Sequence, residues 1–130
     1  MSTVTLHASN GRIVCESCLV ADRPFGRMKG LLGRRSLQSG EGLLLRPASS
    51  VHTFFMRFTI DVVFLDRDLR VLSIARDLRP WRAAGRPGAR AALELPAGEC
   101  ERRGLQPGDS VAFAESAAHF QRLGETRFAR

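Results

Sequence analysis

The sequence is poor in lysine, tyrosine and tryptophan, and it lacks the long apolar runs of membrane proteins. It has no tyrosine, and Trp81 and Lys29 are the only residues of their types. No stretch approaches the roughly 20 apolar residues that a membrane helix needs. The first residues lack the basic and apolar regions of a secretory signal. We therefore expect a cytoplasmic protein without a membrane span.

Cysteine is also scarce, which argues against a disulfide framework or a zinc site. The three cysteines are Cys15, Cys18 and Cys100, and a structural zinc ion usually takes two Cys-x-x-Cys pairs. No His-x-His or His-x-x-x-His spacing supplies other ligands. Residues three apart in a strand point to opposite faces, so Cys15 and Cys18 are predicted to be separate, ordinary thiols. We expect no metal and no cofactor.

Positive charge is abundant and is carried by arginine. The formal net charge is +7 and the pI is about 11.1. The arginines are interspersed with acids, and no stretch interleaves basic and aromatic residues as single-strand binders do. Nucleic acid is therefore not the expected partner, whereas a small polar or anionic ligand or a protein partner is. No feature of the sequence indicates an oligomeric state.

The spacing of apolar residues predicts a β-rich chain. Its 130 residues fit a single domain, 1–130. Short apolar and alternating runs predict strands near residues 3–7, 12–20, 42–46, 60–65, 70–76, 90–95 and 110–113. Asp22 and Pro24 are typical of a helix start, and Gly33 is placed to end that helix. A second, short helix is predicted from Pro96 to about Arg103, and the tail over 114–130 is expected to be helical near 117–123 or frayed.

These elements favour an α+β, mainly β fold. About seven short strands with two or three short helices and no βαβ alternation are typical of a small antiparallel barrel or half-barrel. The first helix is expected to pack on one side of it.

The run from His52 to Asp66 places polar residues in an apolar, strand-like stretch. Alternation puts Ile60, Val62 and Phe64 on one face and Asp61 with its apolar neighbours on the other. If the stretch from His52 is regular, His52 shares a face with Phe54 and Met56. A buried carboxylate needs an arginine or backbone amides. Asp61 is thus either structural or, with His52, an acid/base pair.

Five further residues complete the candidate ligand-binding set. Trp81 and Arg82 lie in a loop rich in arginine, glycine and proline, where exposed aromatic and arginine side chains often form recognition surfaces. Trp81 could equally cover one end of the barrel. Arg34 and Arg57 are candidate partners of an anion or of Asp61. Glu94 faces away from both of its leucine neighbours, and so points to the interior or to the outer surface.

Five motifs resemble the family called domain of unknown function 192. They run in the family's order from about residue 20 to 113 and are Gly30–Arg34, His52–Asp66, Pro80–Arg82, Leu93–Gly98 and Gly104–Asp109. The resemblance implies a small β-rich, barrel-like domain whose activity is unassigned. Relatives often have a cysteine near Ala48, so a family mechanism built on a cysteine–histidine pair is not available to this chain. Relatives also often have glycine where Leu69 stands.

Two functions remain open. The first is a noncatalytic small-ligand or protein-binding module whose pocket or loop end contains His52, Arg57, Trp81 and Arg82. The second is a small hydrolase- or transferase-like enzyme that uses His52 and Asp61 as acid/base residues, which predicts that these two side chains converge in a cleft. No nucleophile-elbow or phosphate-loop motif supports the second.

Overall fold

The protein is mainly β, as predicted. A computed structural model describes residues 2–21 and 35–114. Its strands are Ser2–Ala8 (β1), Ile13–Ala21 (β2), Glu41–Leu45 (β3), Ser50–His52 (β4), Ile60–Leu65 (β5), Val71–Leu78 (β6), Ala83–Gly85 (β7), Ala91–Pro96 (β8) and Val111–Ala114 (β9). One short helix, Glu99–Arg102 (α1), lies between β8 and β9. No helix in the described ranges is long and apolar enough to cross a membrane.

All seven predicted strands are present, and the two short strands β4 and β7 are additional. The helix predicted from Asp22 to Gly33 and the tail from residue 115 onward lie outside the described residues. The helix predicted from Pro96 to about Arg103 is shorter than expected, since β8 continues to Pro96 and α1 begins at Glu99.

Seven strands form one mixed sheet that is mainly antiparallel, as predicted, with a single parallel pair. The strand order is β6-β5-β8-β3-β2-β1-β9, and β4 pairs with β7 in a separate two-stranded sheet. β2 and β3 are parallel, because the long connection between them lets the chain return in the same direction. The other neighbouring pairs are antiparallel.

The sheet curls into a half-barrel and does not close. Its edge strands meet at one end only, where an isolated bridge joins Arg70 and Ser110. There the Val71 N–H donates to the Asp109 carbonyl at 2.8 Å and the Val111 N–H to the Leu69 carbonyl at 2.9 Å. Leu69 adopts a φ of 62° in the turn before β6, a left-handed conformation that glycine adopts at no steric cost.

Alternate residues of the sheet face two hydrophobic cores. On β5, Val63 and Leu65 belong to the first core, and Ile60, Val62 and Phe64 belong to the second. The predicted division of this strand into two faces is therefore confirmed. Both faces of β5 and β8 are buried, so a polar side chain on either strand must find its partners inside the protein.

The Cys-x-x-Cys pair departs from the predicted geometry. The β1–β2 register shifts beside Cys15, and Glu16 and Ser17 are both exposed while Cys15 and Cys18 are both buried. This irregularity puts the two thiols on the same face, against the expectation of opposite faces. A hydrogen bond from Cys18 holds the pKa of the Cys15 thiol below its ordinary value. All three cysteines are free and buried.

Candidate functional site

Four aromatic side chains point outward where β4 ends and the loop between β6 and β7 approaches it. His52 ends β4, Phe54 and Phe55 lie in the segment that follows, and Trp81 comes from the loop between β6 and β7. We call these four residues the aromatic tip. Thr53 and Met56 are buried, so the stretch is not a regular strand beyond β4, and Met56 does not share the exposed face of His52 and Phe54. The strand ends at His52, and the Met56 N–H donates back to the Thr53 carbonyl at 3.1 Å.

Hydrogen bonds of Thr53 join the segment after β4 to the loop between β6 and β7. The Thr53 hydroxyl donates to the Arg79 carbonyl at 2.5 Å and accepts the Arg82 N–H at 2.9 Å. Its backbone also receives the Trp81 N–H at 3.0 Å and donates to the Arg82 carbonyl at 2.8 Å. Thr53 itself has no exposed surface. The two loops therefore behave as one unit at this point.

The rings of the tip pack on one another. His52 and Phe54 stack with centroids 4.6 Å apart, and Phe54 stacks on Trp81 at 5.9 Å. Phe55 meets Trp81 at 4.6 Å with a tilt of 59°. The Phe54 N–H also donates to His52 Nδ1 at 3.4 Å. Contacts of this kind fix the ring orientations.

The tip nevertheless remains open to solvent. Phe55 is 69% exposed and Trp81 is 56% exposed. Both residues hold a left-handed backbone, with φ of 68° for Phe55 and 62° for Trp81. That conformation costs a bulky residue about 1 kcal/mol or more. The fold thus holds two aromatic side chains outward at an energetic cost.

Arginines accompany the tip in the sequence. Arg57 follows Phe55 by two residues, and Arg79 and Arg82 flank Trp81; all three are exposed. The Arg82 Nη1 donates to the Trp81 carbonyl at 3.3 Å. Of the candidate ligand-binding residues, His52, Arg57, Trp81 and Arg82 are therefore in one region. Arg34 lies outside the described residues.

Asp61 is sealed in the core. It has no exposed surface, and its two carboxylate oxygens each accept a backbone N–H. Oδ1 accepts from Asp77 at 3.0 Å and Oδ2 accepts from Cys100 at 3.2 Å. Burial, followed by the nearby Asp61 carboxylate, raises the pKa of the Cys100 thiol well above its ordinary value. Asp61 thereby connects β5 to the end of β6 and to α1.

His52 and Asp61 do not converge. No hydrogen bond joins them, since the partners of Asp61 are the two amides and the partners of His52 are in the tip. His52 is exposed and Asp61 is inaccessible to solvent. Within residues 2–21 and 35–114, no group of three His, Cys, Asp or Glu side chains could hold a metal ion.

The Glu94 side chain is buried on one face of the sheet. It is 5% exposed on β8, in register with Leu43 of β3 and Val62 of β5. Both of those neighbours belong to the second core. Glu94 is therefore buried on the face of β8 that belongs to the second core, opposite Leu93 and Leu95 of the first core.

The sequence pattern did not single out Thr53 or Glu99. Glu99 has no exposed surface, and its carboxylate accepts from the Gly40 N–H at 2.9 Å and the Ser39 hydroxyl at 2.9 Å. Arg102 and Arg103 pair with it at 2.6 and 3.3 Å. The partners of Thr53 lie 26 and 29 positions away along the chain. Glu99 has two arginines within one helical turn, but Ser39 and Gly40 lie 60 and 59 positions away.

We expect Thr53→Val to lower the free energy of unfolding by about 1–3 kcal/mol, because the isosteric methyl leaves the Arg82 N–H without its side-chain acceptor. The emission of Trp81, the only tryptophan, should change as the loop loosens. Urea unfolding followed by tryptophan fluorescence measures both effects. Thr53→Ser keeps the hydroxyl and is the matched control. Equal stability of the valine variant and the wild type would contradict the role assigned to this hydroxyl.

The chain matches one family model and several proteins of related sequence or structure. The model is DUF192, described as "Uncharacterized ACR", and it matches residues 5–113. A UPF0127 protein of Thermococcus sibiricus is 30% identical over 111 residues, covering 82% of this chain and 71% of that protein. A UPF0127 protein of Pyrococcus horikoshii is 39% identical over 96 residues, covering 71% of this chain and 83% of that protein.

Two crystal structures share the fold. A protein of unknown function from Novosphingobium aromaticivorans has a TM-score of 0.73 and 26% identity, covering 85% of this chain and 83% of that chain. A protein from Sinorhizobium meliloti described as a candidate transcription regulator has a TM-score of 0.75. Its identity is 24%, covering 85% of this chain and 92% of that chain, so this likeness concerns the fold alone.

Proposed function

The chain belongs to the DUF192 family, whose function is unknown, and we propose that it acts as a noncatalytic protein-binding module that uses the aromatic tip as its contact surface. The observation that carries this proposal is the pair Phe55 and Trp81, which are both highly exposed and both held at positive φ. The proposed contact residues are Phe55, Trp81, His52, Arg57 and Arg82.

The exposed rings contribute little to folding. An aromatic side chain stabilises a protein by leaving water, and more than half of the surface of Phe55 and Trp81 remains in water. Their left-handed backbone adds a cost that glycine would avoid. Strained, exposed apolar residues are typical of binding surfaces, and the tip has both properties.

The composition of the tip suits a protein partner. Tryptophan and arginine are enriched among the residues that dominate protein–protein binding energy, and phenylalanine is enriched in such interfaces. Arg57, Arg79 and Arg82 are exposed, and the chain has a net charge of +7. We therefore propose a partner surface that offers an apolar depression bordered by acidic side chains.

A small polar or anionic ligand on the same residues is a second candidate, favoured by the stacked rings beside Arg82. Because Trp81 is the only tryptophan, a ligand that stacks there would alter the protein's tryptophan emission directly. A titration of the wild-type chain with flat aromatic anions, followed at this emission, separates this candidate from a protein partner.

The enzyme alternative lacks comparable support. It requires His52 and Asp61 to share a proton route to one substrate, whereas both Asp61 oxygens accept backbone amides in the core. The proposal therefore assigns no catalytic residue. We also propose a cytoplasmic location, which is supported by the three free thiols, because disulfides are rare in that compartment.

Cross-linking through the tip tests the binding proposal. A photoreactive phenylalanine analogue at position 55 should capture a specific protein in cells, and calorimetry with that purified protein gives its affinity. We expect Phe55→Gly and Trp81→Ala each to weaken binding about tenfold or more. Phe55→Gly should leave the free energy of unfolding unchanged or raise it by up to about 1 kcal/mol, because it relieves the left-handed strain.

The control is Ile13→Ala, which removes an exposed apolar side chain at the start of β2. It should leave the affinity unchanged. Binding that survives both tip substitutions, or that falls equally with Ile13→Ala, would overturn the proposal.

A further inference from the structure

A concave surface separate from the aromatic tip lies at the end of the half-barrel where its edges meet. The end of β3, the β5–β6 turn, the start of β8 and the outer strand β9 surround an open cleft of about 810 Å³. We call this cleft the mouth. Ala91 and Leu69 line it, and both pack into the first core. Its size falls in the range of small-molecule sites, which often lie in the mouths of barrels.

Three arginines line the mouth. The Arg46 guanidinium lies 5.2 Å from the centre of the Phe113 ring, an arrangement that orients both groups. Arg67 and Arg90 make no side-chain hydrogen bond or ion pair with any part of the chain that the structure describes. A guanidinium is always charged and carries donors in a fixed fork that matches carboxylate or phosphate oxygens. These donors are therefore available to an anion.

Two acids limit what kind of anion fits. Asp66 and Asp68 also line the mouth, so three arginines face two aspartates. One Asp66 oxygen already accepts the Asp68 and Arg70 N–H groups at 2.8 and 3.0 Å. Arg67 and Arg90 therefore suit a small anion, whereas the two aspartates would repel the further charges of a polyanion such as a nucleic-acid backbone.

The apolar floor of the mouth favours a ligand that has an apolar part. Leu69 is partly buried, Ala91 is buried, and Phe113 is 43% exposed. A ligand with an apolar body would cover these groups while its charged end reaches the arginines. We propose that the mouth binds a small organic anion, with a carboxylate or phosphate on Arg67 and Arg90 and an apolar body on Leu69, Ala91 and Phe113.

Benzoate and phenyl phosphate test this site, and benzylamine is the cation of similar shape. We expect the full chain to bind at least one of the two anions saturably at millimolar concentration, with the largest amide chemical-shift changes at Leu69 and Ala91. Benzoate against phenyl phosphate distinguishes a carboxylate from a phosphate ligand. Inorganic phosphate should bind more weakly than phenyl phosphate because it lacks the apolar body.

The double variant Arg67→Gln/Arg90→Gln should weaken anion binding about tenfold or more, because two charge-assisted hydrogen bonds are lost. Arg12→Gln/Arg86→Gln changes the net charge equally at exposed positions outside the mouth and should leave the affinity unchanged. Three results would overturn the site: no saturable binding of either anion, equal binding of benzylamine, or equal losses in the two double variants.

Discussion

Replacing Glu99 with alanine is expected to lower the free energy of unfolding by about 2–4 kcal/mol, because it leaves the buried Gly40 N–H without its acceptor and removes the shared partner of Ser39, Arg102 and Arg103. The carboxylate has no exposed surface, and it receives the Gly40 N–H and the Ser39 hydroxyl. Arg103 joins it to Glu16 with contacts of 3.3 and 2.7 Å. Arg102 is itself 60% exposed, so its ion pair adds little. Urea unfolding at neutral pH measures the loss.

Glu101→Ala is the matched control, since Glu101 is an exposed glutamate of the same helix. It should change the free energy of unfolding by no more than about 0.5 kcal/mol. If Glu99→Ala were as mild as Glu101→Ala, the buried carboxylate would not be holding the 39–40 loop against α1.

The same network makes stability sensitive to acid. Burial acts to raise the pKa of Glu99, but the Gly40 amide, Arg102, Ser39 and Arg103 outweigh it and hold that pKa below its usual value. A depressed folded-state pKa contributes stability above the unfolded value, about 4.3, and this contribution is lost as the pH falls through the folded value. Glu99→Gln removes the titrating group. We therefore expect its stability to fall less than that of the wild type between about pH 5 and pH 3.

Apolar periodicity was sufficient to predict the large sheet. Strands such as β5 and β8 contain runs of buried apolar residues that leave few alternatives, and their predicted bounds agree with the structure to within one residue. β4 and β7 have three residues each, which is too short to show a period. A half-barrel was one of the two architectures that the sequence predicted. The parallel pairing of β2 and β3 depends on where the chain returns after residue 40, which alternation does not encode.

The polar contacts of the site could not be predicted, because they join distant parts of the chain. Thr53 reaches residues 26 and 29 positions away, and Asp61 reaches an amide 39 positions away. The spacing of residues within one segment does not indicate such distant partners. The left-handed residues Phe55 and Trp81 are a second case, since neither is a residue type that favours positive φ. Alternation therefore failed for the tip, where a turn replaces the strand.

Replacing Asp61 with asparagine is expected to lower the free energy of unfolding by about 2 kcal/mol or more. The amide keeps the volume of the carboxylate, but its NH₂ group opposes one of two backbone donors, so a buried N–H loses its acceptor. Asp61→Ala also leaves a cavity and should cost more. Urea unfolding measures both losses. Exposed Asp68, whose carboxylate has no partner in the described part of the chain, provides Asp68→Asn as the control, with an expected change of no more than about 0.5 kcal/mol.

The His52→Ala variant separates a structural role of Asp61 from a catalytic role. Each role predicts a different combination of stability and binding for the His52→Ala and Asp61→Asn variants. His52 is exposed, so its loss should leave stability within about 0.5 kcal/mol of the wild type while it weakens binding of the captured partner. Asp61→Asn should do the reverse: where the variant remains folded, it should bind with wild-type affinity. An acid/base pair would instead make both variants stable and equally defective. That outcome would require Asp61 to leave the amides of Asp77 and Cys100 during function, and it would overturn its assignment as a structural residue.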